Sequence, residues 1–286
     1  MASTIQNQVA TTKSEKKTMQ TYIKSMEGEI KKALPSVITS ERFTRMVLSA
    51  ISVNPKLAQC TPSSFLGAMM SAAQLGLEPN TPLGQAYILP YQNKGVLEAQ
   101  FQLGYKGYIQ LAIRSGQYKK LNVLAIKEGE LVRFDPLNEE IEVKLIEDEE
   151  ARESAKTIGY YAMFEYVNGF KKALYWSRAK MEAHALKYSP GYANDQKKGT
   201  SWTFWSKDFD GMAYKTLLRQ LISKWGVMSI EMMTAMDSDY AVINEDGTKK
   251  YVETDAENII DAEFVEQTQT PTEPTETNNA QDALFG

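Results

Sequence analysis

The chain has 286 residues, 43% of them hydrophobic, which suits one large domain or two small ones with a real core. No apolar run approaches the ~18 residues of a membrane span, and residues 1–6 lack the charged-then-apolar layout of a secretory signal, so the chain is expected to stay in the cytoplasm. A single cysteine, Cys60, excludes an internal disulfide, and a single histidine, His184, leaves no Cys/His cluster for zinc.

The net charge of −4 conceals strong segregation along the chain. Residues 1–127 carry 15 Lys/Arg against 6 Asp/Glu, and residues 128–153 carry 3 against 11. Residues 154–228 return to 12 against 5, and residues 229–286 fall to 2 against 14. A basic body is thus joined to an acidic end. The first suits a polyanionic partner, and the second suits a protein partner or self-shielding of the basic surface.

Residues 1–20 are polar, without hydrophobic period, and read as a flexible arm. Residues 21–236 form the expected core domain. Phe43, Met46, Val47, Ala50 and Ile51 fall at helical spacing, and Thr61-Pro62 opens a second helix that Gly76 ends. Strands are predicted near 85–89 and over 96–103, across the turn Asn93-Lys94-Gly95. In the second strand Leu97, Ala99, Phe101 and Leu103 share one face, while Glu98, Gln100 and Gln102 share the other. A helix then opens at Gly104-Tyr105-Lys106-Gly107-Tyr108 and stops at Gly116. Free N–H groups, the positive end of the helix dipole and Lys106 make this a candidate phosphate site; the alternative is a glycine connection that only turns a strand into a helix.

Beyond Gly116 the pattern is strand-like over 121–126, 131–134 and 141–146, and residues 147–153 read as an acidic loop or hairpin tip. A second hairpin, 158–166 and 170–176, turns at Asn168-Gly169. Ser177 caps a helix predicted over 178–186 with His184 as a structural residue, and 188–200 read as a Gly/Lys/Asn-rich loop. The helix over 211–225 gathers Tyr214, Leu217, Leu218, Leu221 and Trp225 on its apolar side and sets Lys215 and Arg219 on the wet side, placed for phosphates. The alternative is a solvated basic face. Residues 230–236 continue as a short Met-rich helix, and residues 237–286 are too polar to offset their ordering entropy, so they are expected to be a disordered acidic tail.

No Gly-x-x-x-x-Gly-Lys-Ser/Thr loop occurs, which argues against an ATP-driven recombinase or helicase. Asp208 and Asp210 are candidate magnesium ligands for phosphodiester chemistry, but Asp210 serves more simply as a helix N-cap and Asp208 as a counter-charge to Lys207. Nothing else suggests catalysis, and no cofactor is indicated. Trp202, Phe204, Trp205 and Phe209, with Tyr160, Tyr161, Tyr166, Tyr175 and Trp176 of the second hairpin, are interleaved with Lys171, Lys172, Lys197, Lys198, Lys215 and Arg219. Rings that stack on bases beside cations that follow phosphates are the means of sequence-tolerant single-strand binding.

Four ordered motifs carry a resemblance: Leu75-Gly76-Leu77-Glu78-Pro79, Gly84-Gln85-Ala86-Tyr87-Ile88-Leu89-Pro90-Tyr91, Gln102-Leu103-Gly104-Tyr105-Lys106-Gly107-Tyr108-Ile109-Gln110-Leu111-Ala112 and Arg114-Ser115-Gly116. Across about residues 40–230 the chain resembles the RecT family of phage and prophage single-strand annealing proteins. The resemblance implies an α+β fold, in which an antiparallel β-hairpin sheet and packed helices line a narrow, positive DNA-binding groove. It implies ATP-independent binding of single-stranded DNA, pairing with the complement, and a ring or helical filament that holds the new duplex. It also implies a phage exonuclease and a host single-stranded DNA-binding protein as partners, in a bacterial host cell. Tyr105, Lys106 and Gly107 carry over as groove residues by motif. Lys215 and Arg219 follow from charge geometry and a looser match, and Arg114, Lys119, Lys171, Lys172, Lys197, Lys198 and Trp202 complete the candidate DNA contacts. A magnesium-dependent nuclease using Asp208 and Asp210, and a non-enzymatic adaptor with a basic surface, stand as alternatives.

Overall fold

The computed structural model describes residues 19–36, 38–244 and 248–251. The expected arm therefore lies almost wholly outside the described residues, as does the tail from residue 252. Two short helices, α1 (Met19–Ser25) and α2 (Glu27–Ala33), precede α3 (Ser40–Val53), whose Phe43, Met46, Val47 and Ala50 are buried as their spacing predicts. A 3₁₀ turn over Pro55–Gln59 leads to α4 (Pro62–Gln74). Pro62 opens that helix, but the Thr61 hydroxyl donates to Ser64 Oγ at 2.7 Å instead of capping. Ser64 Oγ in turn accepts the N–H of Ala99 at 2.8 Å, which pins the helix to the hairpin beside it.

That hairpin is β1 (Ala86–Asn93) and β2 (Val96–Leu103), paired antiparallel from Ala86 opposite Leu103 to Asn93 opposite Val96. It feeds α5 (Tyr105–Arg114) directly. Ala99, Phe101 and Leu103 are buried, as alternation requires, yet Gln100 on the supposedly wet face is buried too. Its Nε2 donates to the Tyr240 carbonyl at 2.6 Å, because chain from beyond residue 236 lies across that face.

The second half is built on a three-stranded antiparallel sheet of β3 (Tyr118–Lys127), β6 (Thr157–Tyr166) and β7 (Lys171–Ser177), in the order β3-β6-β7. A separate hairpin, β4 (Leu131–Asp135) with β5 (Glu140–Val143), is inserted after β3. The acidic stretch read as a loop is α6 (Glu149–Ser154) instead, capped by Asp148 and fastened by Arg152 Nε to the buried Glu130 carboxylate at 2.6 Å. Buried acceptance of an arginine and two backbone N–H groups holds Glu130 below the usual carboxylate range, against the opposing effect of burial.

After β7 come α7 (Arg178–Tyr188), α8 (Pro190–Lys198), the single turn α9 (Phe204–Lys207), α10 (Phe209–Trp225) and α11 (Ile230–Ser238). The expected loop over 188–200 is mostly helix α8. Ser189 caps it, Pro190 starts it, and Gly199 ends it in the left-handed region at φ 65°. Helix α10 packs on both the three-stranded sheet and α5, with Leu217, Leu218 and Leu221 buried in one continuous core. Trp225, expected on that apolar side, is half exposed at the helix end with Lys172 Nζ 3.8 Å from its ring centre.

The boundary of order predicted at 237 falls too early. Ser238 and Asp239 are buried, and β8 (Ala241–Ile243) pairs with β9 (Lys249–Tyr251) against the β1–β2 hairpin side of the core. Tyr240 N–H donates to the Phe101 carbonyl at 3.0 Å, and Asp239 accepts from Leu103 N–H at 2.9 Å, so this segment satisfies the open edge of β2. Composition was a poor guide here because the short apolar run Tyr240-Ala241-Val242-Ile243, whose Ala241 and Val242 are buried, is averaged away by the long polar stretch that follows it. The architecture is α+β, with antiparallel sheets and packed helices. No helix among the described residues is long and apolar enough to cross a membrane.

Candidate nucleic-acid interface

Helix α10 is the shared wall of two adjoining cavities. The smaller, about 70 Å³, lies between α10, α9 and the start of α5, with Tyr87, Tyr105, Phe204 and Asp208 around it. The larger, about 590 Å³, lies between α10 and α7, with Trp176, His184, Tyr188, Arg219 and Tyr240 around it. Met212 and Lys215 border both, so the two cavities adjoin along α10, and the larger forms a groove.

The α7 side of this groove carries a run of rings in tilted contact, of which the sequence reading offered Trp176 but missed His184 and Tyr188. His184 lies 5.2 Å from Trp176 and 4.6 Å from Tyr188, centre to centre. Positions 184 and 188 are one helical turn apart, so both project from the same face of α7. Lys180 stands 4.7 Å over Trp176, and Lys187 stands 5.1 Å over Tyr188. Burial, then the charge of Lys187, pushes the His184 pKa down, which keeps the ring neutral and suited to stacking. Tyr188 is 62% exposed, so an outer face of this run is open to a planar ligand. The i, i+4 spacing of His184 and Tyr188 was the available signal, hidden because the helix was ended two residues early.

Lys215 and Arg219 do face this groove region, but the helical-wheel placement of Lys215 on the wet side is wrong. Its side chain is 7% exposed and its ammonium pairs at 2.9 Å with Asp239, whose carboxylate is fully buried. The Tyr240 ring closes over it at 4.1 Å. Burial works against the charged ammonium, but Asp239 outweighs it and the Lys215 pKa is raised. Arg219 pairs with the other Asp239 oxygen at 2.9 Å and keeps 40% of its side chain in the open. The wheel failed because a second layer, residues 238–243, covers the flank of α10 that it assigned to solvent.

The start of α5 divides the predicted set further. Tyr105 is half-buried, edge-on to Tyr214 at 5.5 Å, and lines the smaller cavity; Lys106 is exposed. Gly107, expected as a groove residue, is buried with its N–H bonded to the Gly104 carbonyl. A Cβ there would stand 2.2 Å from the Gln85 carbonyl oxygen, and one on Gly104 would stand 2.2 Å from that of Gly84. These glycines are required because β1 begins hard against α5, which favours the connection reading over a phosphate cradle at Gly107.

The remaining candidates line neither cavity. Arg114 donates to the carbonyls of Leu75 and Gly76 at 2.6 and 3.0 Å, tying α5 to the end of α4. Lys119 and Lys171 converge with Lys120 on the buried Glu165 carboxylate, at 2.8, 3.6 and 3.8 Å respectively. Lys172 pairs with Glu139 and covers Trp225. Lys197 and Lys198 are exposed at the end of α8, and Trp202 is 51% exposed in the turn that follows.

The two carboxylates considered as metal ligands have separate tasks. Asp208, not Asp210, caps α10 by accepting Gly211 N–H at 2.8 Å. Asp210 accepts the Tyr160 hydroxyl at 2.6 Å, and Arg178 donates to that same hydroxyl at 2.8 Å. Burial, then the bond to Asp210, raises the Tyr160 pKa.

Comparison with known proteins places this geometry in a family. The RecT family profile matches residues 41–276. The chain is 44% identical over 226 residues to the uncharacterized protein YqaK of Bacillus subtilis (strain 168), covering 78% of this chain and 71% of that one. It is 33% identical over 219 residues to Protein RecT of Escherichia coli (strain K12), covering 75% of this chain and 77% of that one.

Proposed function

The chain belongs to the RecT family, and on that premise we propose that it binds single-stranded DNA and anneals it to its complement during homologous recombination, without ATP. The observation that carries this reading is the groove along α10, where the rings of Trp176, His184 and Tyr188 face the partly exposed guanidinium of Arg219. Rings of this kind accept any base, and Arg219, Lys180 and Lys187 neutralise backbone phosphates. Stacking leaves the Watson–Crick edges free, so a second strand pairs without being read by the protein. Oligomerisation along the DNA would hold the nascent duplex. An exonuclease that exposes single strands and the host single-stranded DNA-binding protein are its proposed partners, in the bacterial cytoplasm.

The nuclease alternative finds little support, since Asp208 and Asp210 are committed to a helix cap and to Tyr160. Mixing complementary labelled oligonucleotides with the protein, with neither ATP nor magnesium, tests the proposal. Accelerated duplex formation supports it; duplex formation at the protein-free rate rejects it.

A further inference from the structure

Asp239 lies buried behind the groove and pairs with two cations of α10. Oδ1 accepts from Lys215 Nζ and from Leu103 N–H, both at 2.9 Å, while Oδ2 accepts from Arg219 at 2.9 Å and faces the Tyr108 hydroxyl at 3.4 Å. Four partners on three elements fix this carboxylate. One negative charge between two positive charges leaves the cluster with a surplus of one. Lys215 is largely buried beneath Tyr240, whereas Arg219 keeps 40% of its side chain in the open, so Arg219 presents the surplus most fully to the groove. A guanidinium carries five donors in a rigid fork, and the bond to Asp239 occupies only one terminal nitrogen. Tyr240, the next residue, is held at φ 66°, a backbone state rare for a bulky side chain and found where surrounding contacts over-determine the chain.

We infer that Asp239 is a positioning residue for DNA: it holds Arg219 in the orientation from which its free edge meets a phosphate of a strand stacked on Trp176, His184 and Tyr188. The inference rests on the single-strand-binding reading above and assigns to the binding machinery a residue that composition placed in the acidic tail. It runs against simple electrostatics. Removing an acid from a DNA-binding surface adds one positive charge, which tightens binding if only the field matters. If orientation matters, binding weakens.

The test is anisotropy of a labelled thymidine oligonucleotide with the full-length chain, titrated at several salt concentrations. Lys215→Met combined with Asp239→Asn preserves net charge and leaves no buried ion unpaired, while the charged hold on Arg219 is lost. The double variant, native by near-ultraviolet circular dichroism, should bind about tenfold more weakly, with a log–log salt slope shallower by about 0.7. Arg219→Lys keeps the charge but not the fork; because its side chain is partly exposed it also decides the matter should the double variant not fold, and it should show the same loss. Wild-type affinity and slope in Arg219→Lys, or in the folded double variant, overturn the role of Asp239 while leaving the functional reading intact. A wild-type chain that does not retain the oligonucleotide removes both.

Discussion

Trp202 stands half in solvent while its own backbone N–H is held 3.1 Å from Asp195 Oδ2, a carboxylate that is itself buried. The same Asp195 accepts Thr200 Oγ1 at 2.6 Å, Thr203 N–H at 2.8 Å and Ser206 Oγ at 2.7 Å. Burial works against its charge, yet these donors hold its carboxyl at about 2, below the ordinary 3.8. A depressed folded-state value means stabilisation that is complete above about pH 4 and disappears as the pH falls toward 2. Asp195→Asn should therefore lower stability by about 2 kcal/mol at neutral pH. Thermal melts should show the gap to wild type closing between pH 4 and pH 2; a gap independent of pH would contradict this account.

Stacking and charge make separable contributions to strand binding. Trp176→Ala and Tyr188→Ala should each weaken single-strand binding by about 1–3 kcal/mol with the salt slope unchanged. Lys106→Ala with Arg219→Ala should instead flatten the slope by roughly 0.7 per lost phosphate contact. Titrations at three or more salt concentrations distinguish the two classes, and a Trp176→Ala variant that flattens the slope would misassign that ring.

Two glycines in helices should respond oppositely to alanine. At Gly107 the new Cβ meets the Gln85 backbone oxygen at 2.2 Å, so Gly107→Ala should lose about 3 kcal/mol or more in urea denaturation. At Gly28, inside α2, nothing lies within 4 Å, and Gly28→Ala should be neutral or gain up to about 1 kcal/mol from helix propensity.

Truncation separates the acidic end into two parts. A chain ending at residue 236 loses Asp239, the Tyr240 ring over Lys215 and the cover over β2, so the buried flank of α10 is opened to water and the Leu103 N–H and Phe101 carbonyl lose their partners. Apolar surface and backbone groups exposed together destabilise the core, so the short chain should melt early and anneal poorly. A chain ending at residue 251 keeps these contacts and should retain both stability and annealing. Equal behaviour of the two truncations would contradict the placement of residues 238–243 in the core.

The hairpin β1–β2, the turn at Asn168-Gly169 and the start of α5 were legible because their determinants are local: period-two alternation, a glycine at φ 87°, an abrupt change to helical spacing. Helix α8 was hidden by its lysines and glycines, although Ser189-Pro190 is a helix start signal of the kind recognised at Thr61-Pro62. Lys215 and Asp239 were misread for a shared reason. A helical wheel assumes one buried side, and composition assumes that a residue behaves like its neighbours in sequence. The environment of Lys215 is set instead by a carboxylate 24 positions away, and that of Asp239 by Leu103, 136 positions away. Trp202 and Lys106, offered as DNA contacts, are both exposed, a condition that needs no distant partner.

That separation also orders events in time. On a ribosome, α5 and α10 emerge well before residue 239, and until it follows Lys215 has no buried counter-charge and the edge of β2 stays open. A nascent chain cannot close the Lys215–Asp239–Arg219 cluster or cover β2 until synthesis has passed Ile243, the end of β8. The contact that orders Arg219 therefore forms only after the helices that wall the two cavities have been made.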